Sequence, residues 1–557
     1  MLRRSLFRLL LALASASATL AAVELSLRAL RGAPERAEFR FERFGGSRLA
    51  VEDEGRYLHH PRRFFTLAAP FRDAFRPGRY ALGAWAFRGR PLEPAPPGLL
   101  RVGLFGDSCV YGAAVDTADM LGQQLAEALE ERGLPPTQVL VASFGVPGYS
   151  TVQIRALLEE VLAAQRLDAV VIYAAAWNDQ SPAMGTNDVA LRTRTLLPPH
   201  PLEGSATFAF LRELSAHAPQ LTQKEILSGW RAAKPPYGTR VPAPDVEREL
   251  RAMIAVARGA GAELLCIAPA HPPKTRLDHP RVLEDAETVR RVAHAEQAAL
   301  LDAAELFRTA RTSEESLFCD FVHPSPLGTR LLGKAIGEAL APALLALRRS
   351  RPAVPELDYE LARLVPETCS RVGGERLELE LRGGPPLSAA PLLLVGGAPL
   401  FDVELASDGR RLRATLPEQR AGTYDLLLQS AAGCTRFRAA LSISAERLEL
   451  EPGPLWKLRF HARAGDLAIV RVATQRLLFP EWTERGAQWL DPRTVLPDLL
   501  PIQAGPNGIG ELEFPPPAEA AEPQHFLQAE IVARAPDGSI LSSRWSTVLE
   551  VRRPTPR

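Results

Sequence analysis

Between Arg101 and Leu347, short apolar runs alternate with segments of helical period, and this alternation restricts the chain more than any other feature. RVGLF (101–105), VLVASF (139–144), DAVVIYAA (168–175) and ELLCIA (263–268) read as strands. Met120, Leu121, Leu125 and Leu129 recur at helical spacing until Gly133, and Ile154, Leu157, Leu158, Val161 and Leu162 share one face of a second helix. Residues 246–260, 284–300 and 327–347 read as three more helices. The almost unbroken apolar character of 168–175 suits a central strand covered on both faces. Strands that alternate with helices form a parallel sheet between helical layers, and ligands bind such sheets beyond the carboxyl ends of the strands.

The pattern changes on either side. At 557 residues the chain exceeds one ordinary core, so two to four domains are expected. Residues 32–98 are rich in Arg, Phe and Pro without a sustained period and read as an extended lead-in, ended by PLEPAPPG (91–98). The α/β domain is placed at 99–349. Beyond it, RLELELRGG, PLLLVGG, RRLRATLP and TYDLLLQS alternate with period two between turn residues, which predicts a β-sandwich over 355–446. A second β-rich module is predicted over 447–557, with a hairpin signal at Asp537-Gly538.

The N-terminus has Arg3, Arg4 and Arg8, the uncharged run from Leu9 to Val23, and the triplets Ala14-Ser15-Ala16 and Ala16-Ser17-Ala18. Residues 1–31 therefore read as a signal peptide or an N-terminal membrane anchor, the anchor spanning 6–30. Either places the protein outside the cytoplasm: periplasmic, at the cell surface or secreted. A net charge of +1, with no basic stripe interleaved with aromatics, gives no reason to expect nucleic acid as a partner. None of the five cysteines has C-x-x-C spacing, and His59-His60 lacks a further ligand at suitable spacing, so neither metal nor cofactor is expected. Two disulfides are conceivable, Cys369 to Cys434 across the first β module and Cys109 to Cys319, beside thiols throughout as the third reading.

Four blocks fall where the alternation puts a strand's carboxyl end or a helix's start. GDSCVYG (106–112) follows the first strand, and Ser108 there has its own N–H at a helix start, where negative charge is favoured. SFGVPGYST follows the second strand, and Gly145 and Gly148 let the backbone approach a ligand and expose an N–H. AAWNDQ follows the third, with Asn178 able to aim a carboxamide at an oxyanion. CDFVHPSPLG places Asp320 three residues before His323, so that one turn supplies a base and the group that fixes its tautomer. His271 and His279 read as surface groups of a Pro-rich loop, and the long segment 180–245 as a lid or binding surface.

Over 100–347, GDS at 106–108, the glycine block at 145–148, the Asn-Asp pair at 178 and 179, and DFVH at 320–323 resemble the SGNH hydrolases, the GDSL esterase/lipase family. The resemblance implies a flavodoxin-like three-layer α/β/α parallel sheet, here followed by two all-β sandwich-like modules. It implies Ser108 as nucleophile, His323 as general base and Asp320 as its orienting partner, with an oxyanion hole from the Ser108 N–H, the Gly148 N–H and the Asn178 side chain. Ala176 stands where the family has glycine and Ser143 where it often has Asn, departures that bear on substrate fit. AGTYDLLL (421–428) resembles IPT/TIG immunoglobulin-like domains. The expected activity is hydrolysis of acyl esters, such as O-acetyl groups on a glycan or cell-envelope substrate or a small ester. Two rivals stand beside it: an O-acyltransferase with the same triad, and a non-catalytic cell-surface scaffold. The β modules are read as binding glycan or protein, and the N-terminus as a site of membrane association.

Overall fold

The computed structural model describes residues 2–31, 94–181 (without 114 and 116) and 238–444 (without 371–374 and 418). It also describes 57–60, 62–67, 71–72, 79–80, 183, 187–195, 205–207 and stretches between 447 and 552. Two compact units result, one of residues 1–66 with 179–242, the other of 67–178 with 243–557.

The second unit contains the predicted parallel sheet. Its strands are β1 (Leu100–Gly106), β2 (Val139–Gly145), β3 (Ala169–Tyr173), β4 (Glu263–Ala268) and β5 (Ala299–Asp302), in the order β2-β1-β3-β4-β5. This is the flavodoxin-type order, whose switch point lies between β1 and β3. Leu100, Val102, Leu104 and Phe105 of β1 are buried, as is all of β3, consistent with helices on both faces. In the register, Gly106 is level with Gly145 of β2 and with Tyr173 of β3, so three of the predicted blocks leave the sheet along one edge.

The helices are α1 (Ser108–Tyr111), α2 (Leu121–Glu130), α3 (Thr151–Ala164), α4 (Ala243–Gly259), α5 (Pro273–Asp278), α6 (Arg281–Ala295), α7 (Ala303–Arg308) and α8 (Pro326–Arg349). Local chemistry sets their starts. Ser150 and Gln153 form a reciprocal capping box for α3, and Ser325 caps α8 by accepting from the Gly328 N–H, with Pro326 at the first helical position. One sequence reading is corrected here: the helix expected over 284–300 ends at Ala295, and Ala299–Asp302 forms the fifth strand beside β4. That strand has only four residues and lies at the sheet edge, exposed or half-buried, so the AALLD run has no alternation to separate it from the preceding helical period.

After α8 come two sheets face to face: Tyr359–Val365, Arg376–Gly383, Arg411–Thr415 and Phe401–Leu405 in one, Thr368–Ser370, Cys434–Ser444, Gly422–Gln429, Leu392–Val395 and Ala398–Pro399 in the other. Leu377, Leu379, Leu381 and Leu412 of the first share a core with Leu393, Val395, Leu426 and Leu428 of the second. Farther on, Gln524–Arg534 pairs antiparallel with Ile540–Trp545, with Arg534 opposite Ile540, as the Asp537-Gly538 signal predicts; the turn itself lies outside the described residues.

No disulfide is present; all five cysteines are thiols. Cys369 is level with Ile443, whereas Cys434 opens that strand, about 30 Å away at ~3.4 Å per residue. A disulfide needs Cα atoms within about 7 Å, so this pairing is excluded. Cys109 and Cys319 are likewise not joined: the Cys109 Sγ lies 3.8 Å from the Val322 carbonyl and the Cys319 Sγ 4.0 Å from that of Pro324.

In the first unit, Leu2–Arg31 is a helix, and no helix among the described residues is long and apolar enough to cross a membrane. The Glu24 carboxylate accepts from the Ala206 and Thr207 N–H groups and from the Ser205 and Thr207 hydroxyls, which hold its pKa far below the usual carboxylate range. The segment read as a lid lies mostly outside the described residues, but its base is closed: the Arg240 N–H donates to Ser181 O (2.8 Å), the Val241 N–H to Asp179 O (3.0 Å), and Arg240 and Asp188 form a buried ion pair at 2.8 Å.

Candidate active site

The site begins where β1 ends. Asp107 caps α1, its Oδ1 accepting from the Cys109 N–H at 2.9 Å, so the chain turns sharply and Ser108 stands at the helix start. Gly145, at the end of β2, makes this turn affordable: a Cβ there would lie 2.2 Å from the Tyr111 nitrogen, so only glycine lets α1 settle against β2. The following turn places Gly148 in the left-handed region at φ +82°.

The loop from Phe318 to Pro324 brings His323. The Cys319 N–H donates to His323 O (2.8 Å), the Ser325 N–H donates to Leu317 O (2.8 Å), and Phe318 bridges to Pro324. Within this loop Asp320 Oδ1 accepts from the Val322 N–H (2.9 Å) and the His323 N–H (2.8 Å), and Oδ2 lies 2.6 Å from His323 Nδ1. His323 Nε2 lies 2.8 Å from Ser108 Oγ. With the Nδ1 proton given to Asp320, Nε2 presents its lone pair to the Ser108 hydroxyl. The structure thus unites Ser108, His323 and Asp320, three residues from opposite ends of the domain.

Burial opposes the imidazolium of His323, but the charge and hydrogen bond of Asp320, with the charge of Asp107, outweigh it and raise its pKa above the ordinary value. Burial also works against the Asp320 carboxylate, yet His323 and the two backbone N–H groups hold its pKa below the usual range. The pair favours Asp⁻ with a basic imidazole. Cys109, next to Ser108, is a buried thiol: burial first, then the charges of Asp107 and Asp320, push its pKa well up, so it stays protonated.

Asn178 is reached from β3 through a strained loop. Ala175 adopts φ +60°, a left-handed conformation rare for alanine, and the buried His271 bonds the Ala176 carbonyl through Nε2. The reading of His271 as a surface group is corrected: only 2% of it is exposed, and burial lowers its pKa to about 4, so the ring is neutral. His279 is half-buried with its ring 5.0 Å from that of Trp177. Asn178 Nδ2 donates to Asp107 Oδ2 at 3.0 Å, which fixes the carboxamide and leaves a second amide hydrogen. Asp107 was missed as a functional residue in the sequence. Its position in GDS is visible there, but its bond to a residue 71 positions away is not.

Residues 104–331 match the family model described as the GDSL-like Lipase/Acylhydrolase family. These residues are a GDSL-like lipase/acylhydrolase domain. No curated protein matches the chain. Among solved structures, the chain is similar to the lipase/acylhydrolase from Enterococcus faecalis (17% identity, TM-score 0.30, 46% of this chain and 100% of that one). It is also similar to a putative lipolytic protein of the G-D-S-L family from Desulfitobacterium hafniense DCB-2 (14% identity, TM-score 0.28, 43% and 99%). A third is the acetyl xylan esterase AlAXEase (15% identity, TM-score 0.29, 43% and 100%). The acylhydrolase domain places the protein among ester-hydrolysing enzymes.

Proposed function

We propose that the protein is an exported serine esterase that removes acyl groups, O-acetyl in particular, from a glycan or cell-envelope substrate. The single observation that carries this reading is the continuous chain of contacts from Ser108 Oγ through His323 to Asp320 at the carboxyl edge of the sheet. Ser108 Oγ attacks the ester carbonyl and its proton passes to His323 Nε2. The carbonyl oxygen, now anionic, is met by the Ser108 and Gly148 N–H groups and the second amide hydrogen of Asn178. Collapse breaks the bond to the alkoxy oxygen, which leaves with the proton from His323. Water repeats the sequence on the serine ester, releasing the acid and restoring Ser108. The basic start and apolar run of residues 1–31 support export.

The test is turnover of a chromogenic acetyl ester by folded variants. Ser108→Ala and His323→Ala should abolish it, and Asn178→Ala should lower kcat by roughly 10²–10³. Asp107→Asn should lower kcat in the same direction, because the Asn178 amide loses the carboxylate that orients it. Full turnover by Ser108→Ala would overturn the assignment.

A further inference from the structure

The turn that carries Asp320 and His323 also carries an aromatic ring that the chemistry above leaves unused. Within the loop Phe318 is 8% exposed and Val322 2%, yet Phe321 between them keeps 38% of its surface open. A single exposed apolar ring is common on protein surfaces. This one is held from the side: its centroid lies 4.7 Å from that of Trp177 with the planes at 62°, and Trp177 in turn rests against His279. Its backbone is equally fixed, the Thr275 hydroxyl donating to Phe321 O at 2.8 Å and Asp320 gripping the next two N–H groups. Trp177 directly precedes Asn178, and Phe321 stands between Asp320 and His323 in sequence. The ring pair therefore links the base's turn to the loop that carries the carboxamide.

We propose that Phe321 is a specificity-determining residue that stacks on the alcohol half of the ester, and that the class of alcohol it selects is one with a flat C–H face, a pyranose ring. The inference rests on the reading of Ser108, His323 and Asp320 as the acyl-transfer machinery. His323 must hand its proton to the departing oxygen, so the alcohol passes within hydrogen-bond reach of Nε2, and a side chain of the same turn borders that half of the substrate. A ring immobilised before substrate arrives loses little further entropy on contact, and its exposed face offers area and polarisability rather than hydrogen bonds. A short aliphatic alcohol gains little from such a surface; a pyranose presents one face of axial C–H groups to it.

The experiment compares kcat/KM for two acetyl esters, an O-acetylated methyl pyranoside and ethyl acetate, in the full-length protein. Phe321→Ala should lower the value for the pyranoside about tenfold, mainly through KM, and that for ethyl acetate by no more than about twofold. Phe321→Trp should restore the pyranoside value, and Phe321→Leu, which keeps apolar volume without a flat face, should behave like Phe321→Ala. Equal loss on both esters would mean that the ring only positions the His323 turn, and no loss on either that it meets no substrate; each overturns the proposal. So does a loss that follows acyl chain length at fixed alcohol, which would put the ring on the acyl side. Ser108→Ala, run on the same pair, reports separately on the underlying site: activity surviving in that variant would refute the acyl-transfer reading itself, whatever Phe321 does.

Discussion

At the scale of residues, the site is a set of paired groups whose charges are mutually fixed. In the proposed mechanism His323 accepts a proton only when neutral, so the rate follows the deprotonated fraction and rises with pH through the His323 pKa. Because Asp320 lifts that pKa, the acid limb of kcat/KM should lie above the ordinary histidine value of about 6.5. In Asp320→Asn the opposing effect of burial remains, the largest supporting charge is gone, and only that of Asp107 is left. The limb should then move to lower pH while the plateau falls by about 10⁴-fold, since the imidazole also loses its tautomer control. A pH–rate profile of both proteins on a soluble acetyl ester reads the two effects separately. A limb that stays in place in Asp320→Asn would show that the carboxylate does not set the base's pKa.

At the scale of elements, strands and loops differ in how much of them can be read from sequence. The four long strands and the helices α2, α3, α4 and α8 follow from apolar periodicity, because burial of one face or of both leaves a regular mark. That the blocks of Ser108, Gly148 and Asn178 leave the sheet side by side was legible because each follows a strand end and the register levels those ends, and the block of Asp320 and His323 because it precedes α8. Two determinants were not. Asp107 acts through Asn178 and His271 through the Ala176 carbonyl, contacts between residues far apart in the chain that no local pattern encodes. His271 gives the element scale its prediction. Its folded pKa of about 4 lies below the unfolded value of about 6.5, so from pH 6.5 down to 4 the unfolded chain binds the extra proton and stability falls. The full shift corresponds to about 3 kcal/mol. His271→Gln keeps a donor for Ala176 and does not titrate, so its unfolding midpoint should decline less steeply than wild type over that window. Parallel curves from pH 4 to 6.5 would refute the assignment of that acid sensitivity to His271.

At the scale of the whole molecule, the sandwich after α8 is joined to the acylhydrolase domain by direct side-chain bonds. Gln123 of α2 donates its amide to the Gly396 carbonyl, and the left-handed Gly397 lies so close that a Cβ would stand 2.4 Å from that amide. Arg436 pairs with Glu130 at the end of α2 at 2.8 Å, and Arg420 pairs with Asp119. The two ion pairs are placed differently. Glu130 is 38% exposed, so its pair is screened by water and worth at most about 1 kcal/mol. Asp119 is 11% exposed and lies in the short helical turn Thr117–Asp119, between α1 and α2. Removing Arg420 leaves that carboxylate nearly buried beside Glu127, so the turn should shift to hydrate it, and the next residue, Met120, lies against Gly112 at the end of α1. Arg420→Ala should therefore lower kcat on a small acetyl ester by about three- to tenfold, whereas Arg436→Ala should change it by less than about twofold. Steady-state rates of the two variants decide the matter. Equal effects would mean that the sandwich is attached without influence on Ser108, and a selective loss in Arg420→Ala would make it a brace for the loop that follows Ser108.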